Sequence, residues 1–123
     1  MPVIDGHTKL NIARKLLLKE FSTIIQNMIM EPKHPVLTII FKDGFHLAVR
    51  YNDFGEYSYQ LTFSQGPFDR ILFDNYDNRW EVTTRPHHYH PRGQKSAQES
   101  IMKGNPRHDI PLLIPFIKQN PNS

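Results

Sequence analysis

Leu10, Ala13, Leu17, Phe21, Ile24 and Met28 recur at three- and four-residue steps, which stack on one side of a helix, so the spacing predicts one amphipathic helix from about Thr8 to Met30. Lys9, Arg14, Lys15, Lys19 and Glu20 decorate the remainder, which reads as a solvated face. Asp5 or Thr8 can cap its start, and Pro32 with Pro35 prevents continuation. The period then changes to two. Val36 to Lys42 is a β-branched run, Asp43-Gly44 is a type I′ turn signal, and Phe45 to Tyr51 alternates. Phe45, Leu47, Val49 and Tyr51 share a face opposite His46, Ala48 and Arg50. After a turn at Asn52 to Gly55, Tyr57, Tyr59, Leu61 and Phe63 form a second apolar face, whose tyrosines are expected to pack against the helix.

Gln65-Gly66-Pro67 breaks that strand and Phe68 to Phe73 begins a fourth. Residues 74 to 78 are turn-rich, and Trp80, Val82 and Thr84 alternate as a short fifth strand. A polar loop over residues 91 to 98 leads to one or two helical turns at Ala97 to Lys103, ended by Gly104-Asn105-Pro106. Ile110 to Lys118 follows the possible cap Asp109 as a last apolar helix, which Pro115 would kink or shorten. The expected architecture is α+β: a long N-terminal helix packed on a four- to five-stranded antiparallel meander sheet, with short C-terminal helices.

Composition narrows the picture without settling it. A chain of 123 residues is read as a single domain, 1–123, and 38% hydrophobic content fits a folded globule rather than a disordered segment. The absence of cysteine excludes disulfides, thiolate chemistry and cysteine-based zinc sites. There is no secretory pattern and no apolar run long enough to span a bilayer, so the expectation is a cytoplasmic protein with no membrane partner. Fifteen basic against twelve acidic residues give a net charge of +3, a mild leaning towards acidic partners such as RNA.

The densest chemistry is Pro86-His87-His88-Tyr89-His90-Pro91, flanked by Arg85 and Arg92. Imidazoles exchange protons or bind metals near neutral pH, and arginines grip phosphate. Several uses are open. On a continuing strand His88 and His90 share a face and could bind a metal, with His108 and Asp109 or Asp74 as conceivable partners, though no spacing rule selects them. Alternatively, RNA supplies its own 2′-hydroxyl nucleophile, and two histidines with a cation suffice to cleave it without metal or cofactor. His88 and His90 are then the natural acid/base pair, Arg85 and Arg92 the phosphate clamps, and Tyr89 or Tyr76 a stacking or proton-donating group. Recognition without catalysis is equally compatible, with His, Tyr and Arg stacking on single-stranded bases or receiving an acidic protein segment. So is an exposed basic loop whose histidines do nothing specific.

Phe73-Asp74-Asn75, the Pro86-His87-His88-Tyr89-His90 run and the closing Leu112-Leu113-Ile114-Pro115-Phe116-Ile117 resemble the TumE-like family, small bacterial and archaeal proteins regarded as toxins of toxin–antitoxin pairs. The resemblance covers roughly the last two-thirds of the chain. It departs where the family follows Asp-Asn with a small residue, proline and histidine, since Tyr76-Asp77-Asn78-Arg79 stand here, and at Pro115. It implies growth inhibition through RNA and a cognate antitoxin with a DNA-binding region; whether the chain pairs with itself is left open. The helix-then-meander order also resembles the fold of the barnase and RelE ribonucleases, an analogy of fold and not of reaction. Together these point to an RNA endonuclease that needs no metal, with His87, His88 and His90 transferring protons and Asp74 orienting an imidazole. Arg85, Arg92, Tyr89, Tyr76 and Lys95 would bind RNA. The rival is a nonenzymatic RNA- or protein-binding module, a degenerate member of the family.

Overall fold

Asp5 caps the first helix by accepting a 2.7 Å hydrogen bond from the Thr8 amide, and the helix, α1 (Gly6–Phe21), ends well before the expected Met30. Residues 5 to 119 are described by the structure, a computed structural model. Gly6 lies so close to the sheet that a Cβ there would meet the Tyr51 carbonyl oxygen at 2.6 Å, while its amide donates to Asp53 Oδ1 at 2.8 Å. That contact seats the helix start on the end of a central strand.

The missing helical turns form a strand, β1 (Ile25–Glu31), paired antiparallel with β2 (Val36–Phe41). Ile25, Met28 and Met30 fit either period once the register shift between Ile25 and Asn27 is allowed for, and they pack against the core. The edge of β2 supplies backbone partners that a water-exposed helix end could not match. Pro32 and Pro35 belong to the intervening turn. β3 (His46–Tyr51) and β4 (Tyr57–Thr62) keep the expected faces, burying Leu47, Val49, Tyr51, Tyr57, Tyr59 and Leu61. The β2–β3 connection is not a two-residue type I′ turn. Gly44, at φ 97°, donates to the Phe41 carbonyl, and the Phe41 amide bonds to Phe45 O, giving a three-residue loop with glycine in the left-handed position.

β5 (Arg70–Asp74), β6 (His88–His90) and β7 (Gln98–Glu99) complete a seven-stranded antiparallel sheet in sequential order, larger than the four or five strands expected. Two further expectations fail here. Residues 80 to 84 are a turn-containing loop rather than a strand, because Trp80 packs on side chains instead of joining the ladder. Ala97 to Lys103 is extended rather than helical, because Gln98 and Glu99 pair with Tyr89 and His88.

In place of short C-terminal pieces there is one helix, α2 (Pro106–Lys118), capped by Asn105 rather than Asp109. Pro111 and Pro115 lie on its exposed side, where water can satisfy the carbonyls they leave unpaired, so the helix runs through both. α1 and α2 lie together on one sheet face, tied at their far ends by Lys118 and Glu20 at 3.0 Å. The core between helices and sheet includes Leu10, Leu17, Phe41, Leu47, Tyr59, Phe73 and Leu113. Each large apolar side chain buried there contributes roughly 1.5–3 kcal/mol.

Candidate functional site

Strand alternation divides the histidine run. His88 and His90 point to the sheet face away from the helices, opposite Asp74 and Leu72 of β5, whereas Tyr89 and His87 face the helix side. Tyr89 stacks on Phe73 at 4.6 Å and meets Phe116 edge-on, so its ring packs against the core.

His88 and His90 are closed in. Their rings meet edge-to-face at 4.9 Å, and Trp80 covers them at 5.9 and 4.9 Å, with the Arg79 guanidinium 4.7 Å above the indole. His88 Nδ1 lies 2.9 Å from the Pro86 carbonyl, which only accepts, so Nδ1 carries a proton; His90 Nδ1 likewise donates to Ser96 O at 3.1 Å. His88 Nε2 sits 2.7 Å from Asp74 Oδ1, a buried oxygen with no other partner among the described residues. His88 is 2% and His90 7% exposed, so both rings are almost wholly closed off from solvent.

On the opposite side an open cleft of about 830 Å³ lies between the loop before β6 and the start of α2, and Thr84, Arg85, His87, Lys103, His108 and Leu112 help to line it. Thr84 positions His87 by donating to its carbonyl at 2.7 Å while accepting from the Ser100 amide at 3.0 Å, which ties the loop to the chain leaving β7. The His87 ring lies nearly parallel to Tyr57, 5.8 Å between centroids, and its Nδ1 contacts the Tyr57 hydroxyl at 3.0 Å. Burial raises the Tyr57 pKa well above the ordinary phenol value, so this neighbour stays neutral. Nε2 of His87 is left without a partner among the described residues.

Across the cleft, His108 Nδ1 lies 2.6 Å from Asp109 Oδ1. Asp109 is fully buried and also accepts from the Tyr59 hydroxyl at 2.7 Å and from the amides of Lys103 and Gly104 at 2.9 and 2.7 Å. Tyr59 in turn contacts the Tyr51 hydroxyl at 2.8 Å. Four donors converge on one carboxylate, and the imidazole is one of them. In the sequence, the adjacency of His108 and Asp109 just inside a proline-started helix is the only hint of this arrangement.

A family model described as toxin TumE matches residues 13–120. The chain belongs to the TumE toxin family. No curated protein and no solved structure matches it. Membership makes this TumE protein the toxin component of a toxin–antitoxin system and implies a cognate antitoxin. No helix among its described residues is long and apolar enough to cross a membrane, and no group of three or more His, Asp or Glu converges as metal ligands among them.

The motif residues of this TumE chain form one structural unit. Asp74 and His88 are register partners, and Asn75 accepts from the Tyr57 amide at 2.9 Å and donates to Gly55 O at 3.1 Å. Of the expected RNA-contacting residues, Arg85 alone lines the cleft, its guanidinium held by Asn78 through bonds of 2.8 and 3.2 Å. Arg92 instead pairs with Asp69 at 2.6 Å and stacks 3.9 Å over Phe63. Tyr76 lies beside Arg50 and His34 in a separate hollow, and Lys95 is exposed in the loop between β6 and β7.

Burial also gives the closed cluster a pH signature. The His90 pKa is pushed below its ordinary value of 6.5, first by desolvation and then by His88 and Arg70, against the Ser96 carbonyl, which raises it. The folded state therefore prefers neutral His90, a contribution present above pH 6.5 and lost as pH falls through the folded pKa. Asp74 runs the other way: desolvation raises its pKa, so its contribution is present below the ordinary value of 3.8 and is lost as pH rises through the folded value. Acidification from about pH 7 to about pH 5 is expected to lower the unfolding free energy of the wild type through His90, by at most about 1.4 kcal/mol per pH unit, and the urea midpoint with it. The same change should move the midpoint of His90→Gln less; an equal slope in both would show that His90 is not the group responsible.

Proposed function

We propose that this TumE toxin is a metal-independent RNA endonuclease whose chemistry takes place in the cleft on the helix side of the sheet. The observation that carries the reading is the placement of His87. Of the three clustered histidines it alone lines an open cleft, with one ring nitrogen anchored on Tyr57 and the other unpartnered, beside Arg85 and Lys103. An imidazole so held can move a proton, and the two cations suit a phosphodiester gaining negative charge. The 2′-hydroxyl of RNA provides the nucleophile, so no metal is required to generate one. His88, His90 and Asp74 act indirectly, holding β6 in register so that His87 leaves the strand on the cleft side.

The purified toxin should cut single-stranded RNA in excess chelator as fast as without it. Growth arrest on induced expression should coincide with new cellular RNA ends. Arrest with intact RNA, together with tight RNA binding that weakens steeply with salt, would replace cleavage by a nonenzymatic binding role. Activity lost in chelator and restored by a divalent ion would remove the metal-free mechanism.

A further inference from the structure

The buried Asp109 receives an unusual concentration of hydrogen bonds, one of them from its neighbour His108. Two backbone amides and the Tyr59 hydroxyl donate to the carboxylate, so its position is fixed from three sides. The fourth contact is His108 Nδ1 at 2.6 Å. A carboxylate can only accept, so this nitrogen carries the hydrogen and the tautomer is set, with the lone pair on Nε2. The His108 side chain is 36% exposed and lines the same cleft as His87. His87 can take the complementary role, because the Tyr57 hydroxyl oxygen can accept from Nδ1–H of its imidazolium form and leave the second N–H, on Nε2, free to give its proton and return to neutral imidazole.

We infer that His108, oriented by Asp109, is the general base that pairs with His87 as general acid, and that the cleft cleaves RNA by transesterification. This rests on the endonuclease reading above. His108 Nε2 removes the proton from the 2′-hydroxyl, and the 2′-oxygen forms a bond to phosphorus. The bond from phosphorus to the 5′-oxygen breaks, and that oxygen takes the proton from His87 Nε2. Lys103 and Arg85 stand beside the phosphate as its charge grows. The products are a 2′,3′-cyclic phosphate and a 5′-hydroxyl, with no co-reactant consumed. Asp109 is a positioning residue: it touches His108 and not the substrate.

The test uses the purified full-length toxin and a labelled single-stranded RNA, with ends assigned by whether new 5′ termini accept phosphate from a polynucleotide kinase without prior dephosphorylation. Wild type should leave 5′-hydroxyl ends and should not cut a substrate carrying 2′-deoxyribose throughout. His108→Ala should lower the rate by about 10²–10⁴-fold, the usual contribution of one general base, and should remove the fall in rate on the acid side of the pH profile. His108→Gln, which retains a donor for Asp109, should be equally slow and supplies the comparison if the alanine variant does not fold. Cleavage by wild type with 5′-phosphate ends, or a His108→Gln variant with the wild-type rate and pH profile, would overturn the assignment while leaving the endonuclease reading intact. No cleavage by wild type of any RNA would overturn both.

Discussion

His87→Ala is expected to slow RNA cleavage by about 10²–10⁴-fold while costing only about 0.5–1.5 kcal/mol of stability, the net worth of one side-chain hydrogen bond. Its ring lies at the wall of an open cleft and, among the described residues, has the Tyr57 hydroxyl as its single side-chain hydrogen-bond partner. His88→Ala should do the reverse. That ring is buried between Trp80, His90 and Asp74, and its removal strips the buried Asp74 oxygen of its one close neighbour. A buried polar atom stripped of its partner costs about 1–3 kcal/mol and the lost ring packing adds to it, so His88→Ala should unfold at lower urea while the folded fraction cleaves at nearly the wild-type rate. Measuring rate and urea midpoint on both variants separates the roles. A His87→Ala protein that cuts normally, beside a stable His88→Ala protein that does not, would move the chemistry to the other face of the sheet.

That contrast also shows what could be read along the chain. The alternation from Phe45 to Tyr51 and from Tyr57 to Leu61 appears in the structure with the expected faces, because a half-buried strand leaves a period-two trace in its own residues. The shared face of His88 and His90 was legible for the same reason. The strand at Ile25 to Glu31 was not, since Ile24 and Met28 satisfy helical spacing as well, and only the pairing edge of β2 decides between the two. The segment 97–103 failed similarly, its conformation being set by Tyr89 and His88. The TumE signature was visible, but the arrangement of its residues in space was not. Asp74 and His88 meet across a strand pair and under Trp80, whereas the cleft joins His87 to residues from β4, the exit of β7 and the first turn of α2. Tyr57 lies 30 positions from His87, and Asp109 lies 50 from Tyr59, separations at which no local pattern carries information.

Asp109→Ala is expected to be the most damaging single change on the cleft side. The carboxylate accepts from Tyr59, His108 and the amides of Lys103 and Gly104, and it is fully buried. Alanine leaves the Lys103 and Gly104 amides without acceptors and leaves the Tyr59 hydroxyl with Tyr51 as its remaining partner. Burial holds the Tyr59 pKa far above the phenol range, so this hydroxyl cannot relieve the loss by ionising. An unsatisfied buried donor costs about 1–3 kcal/mol, and the two amides together with the weakened Tyr59 bond should remove several kcal/mol, a large share of the roughly 5–15 kcal/mol that holds such a domain folded. Gly104 compounds the effect. It sits at φ 89°, and its Cα hydrogen occupies a space where a Cβ would come within 2.9 Å of the Tyr57 ring. The turn is therefore pressed against the tyrosine that anchors His87. With Asp109 removed, the turn loses the two bonds that hold it there, so both walls of the cleft loosen at once. Urea unfolding followed by tryptophan fluorescence should show a midpoint far below that of His87→Ala, and Asp109→Asn should fall between them, because its amide keeps one acceptor oxygen but turns a second donor towards the donors around it. A midpoint for Asp109→Ala equal to the wild type would mean that the carboxylate is dispensable to the fold, and that the four bonds converging on it serve His108 alone.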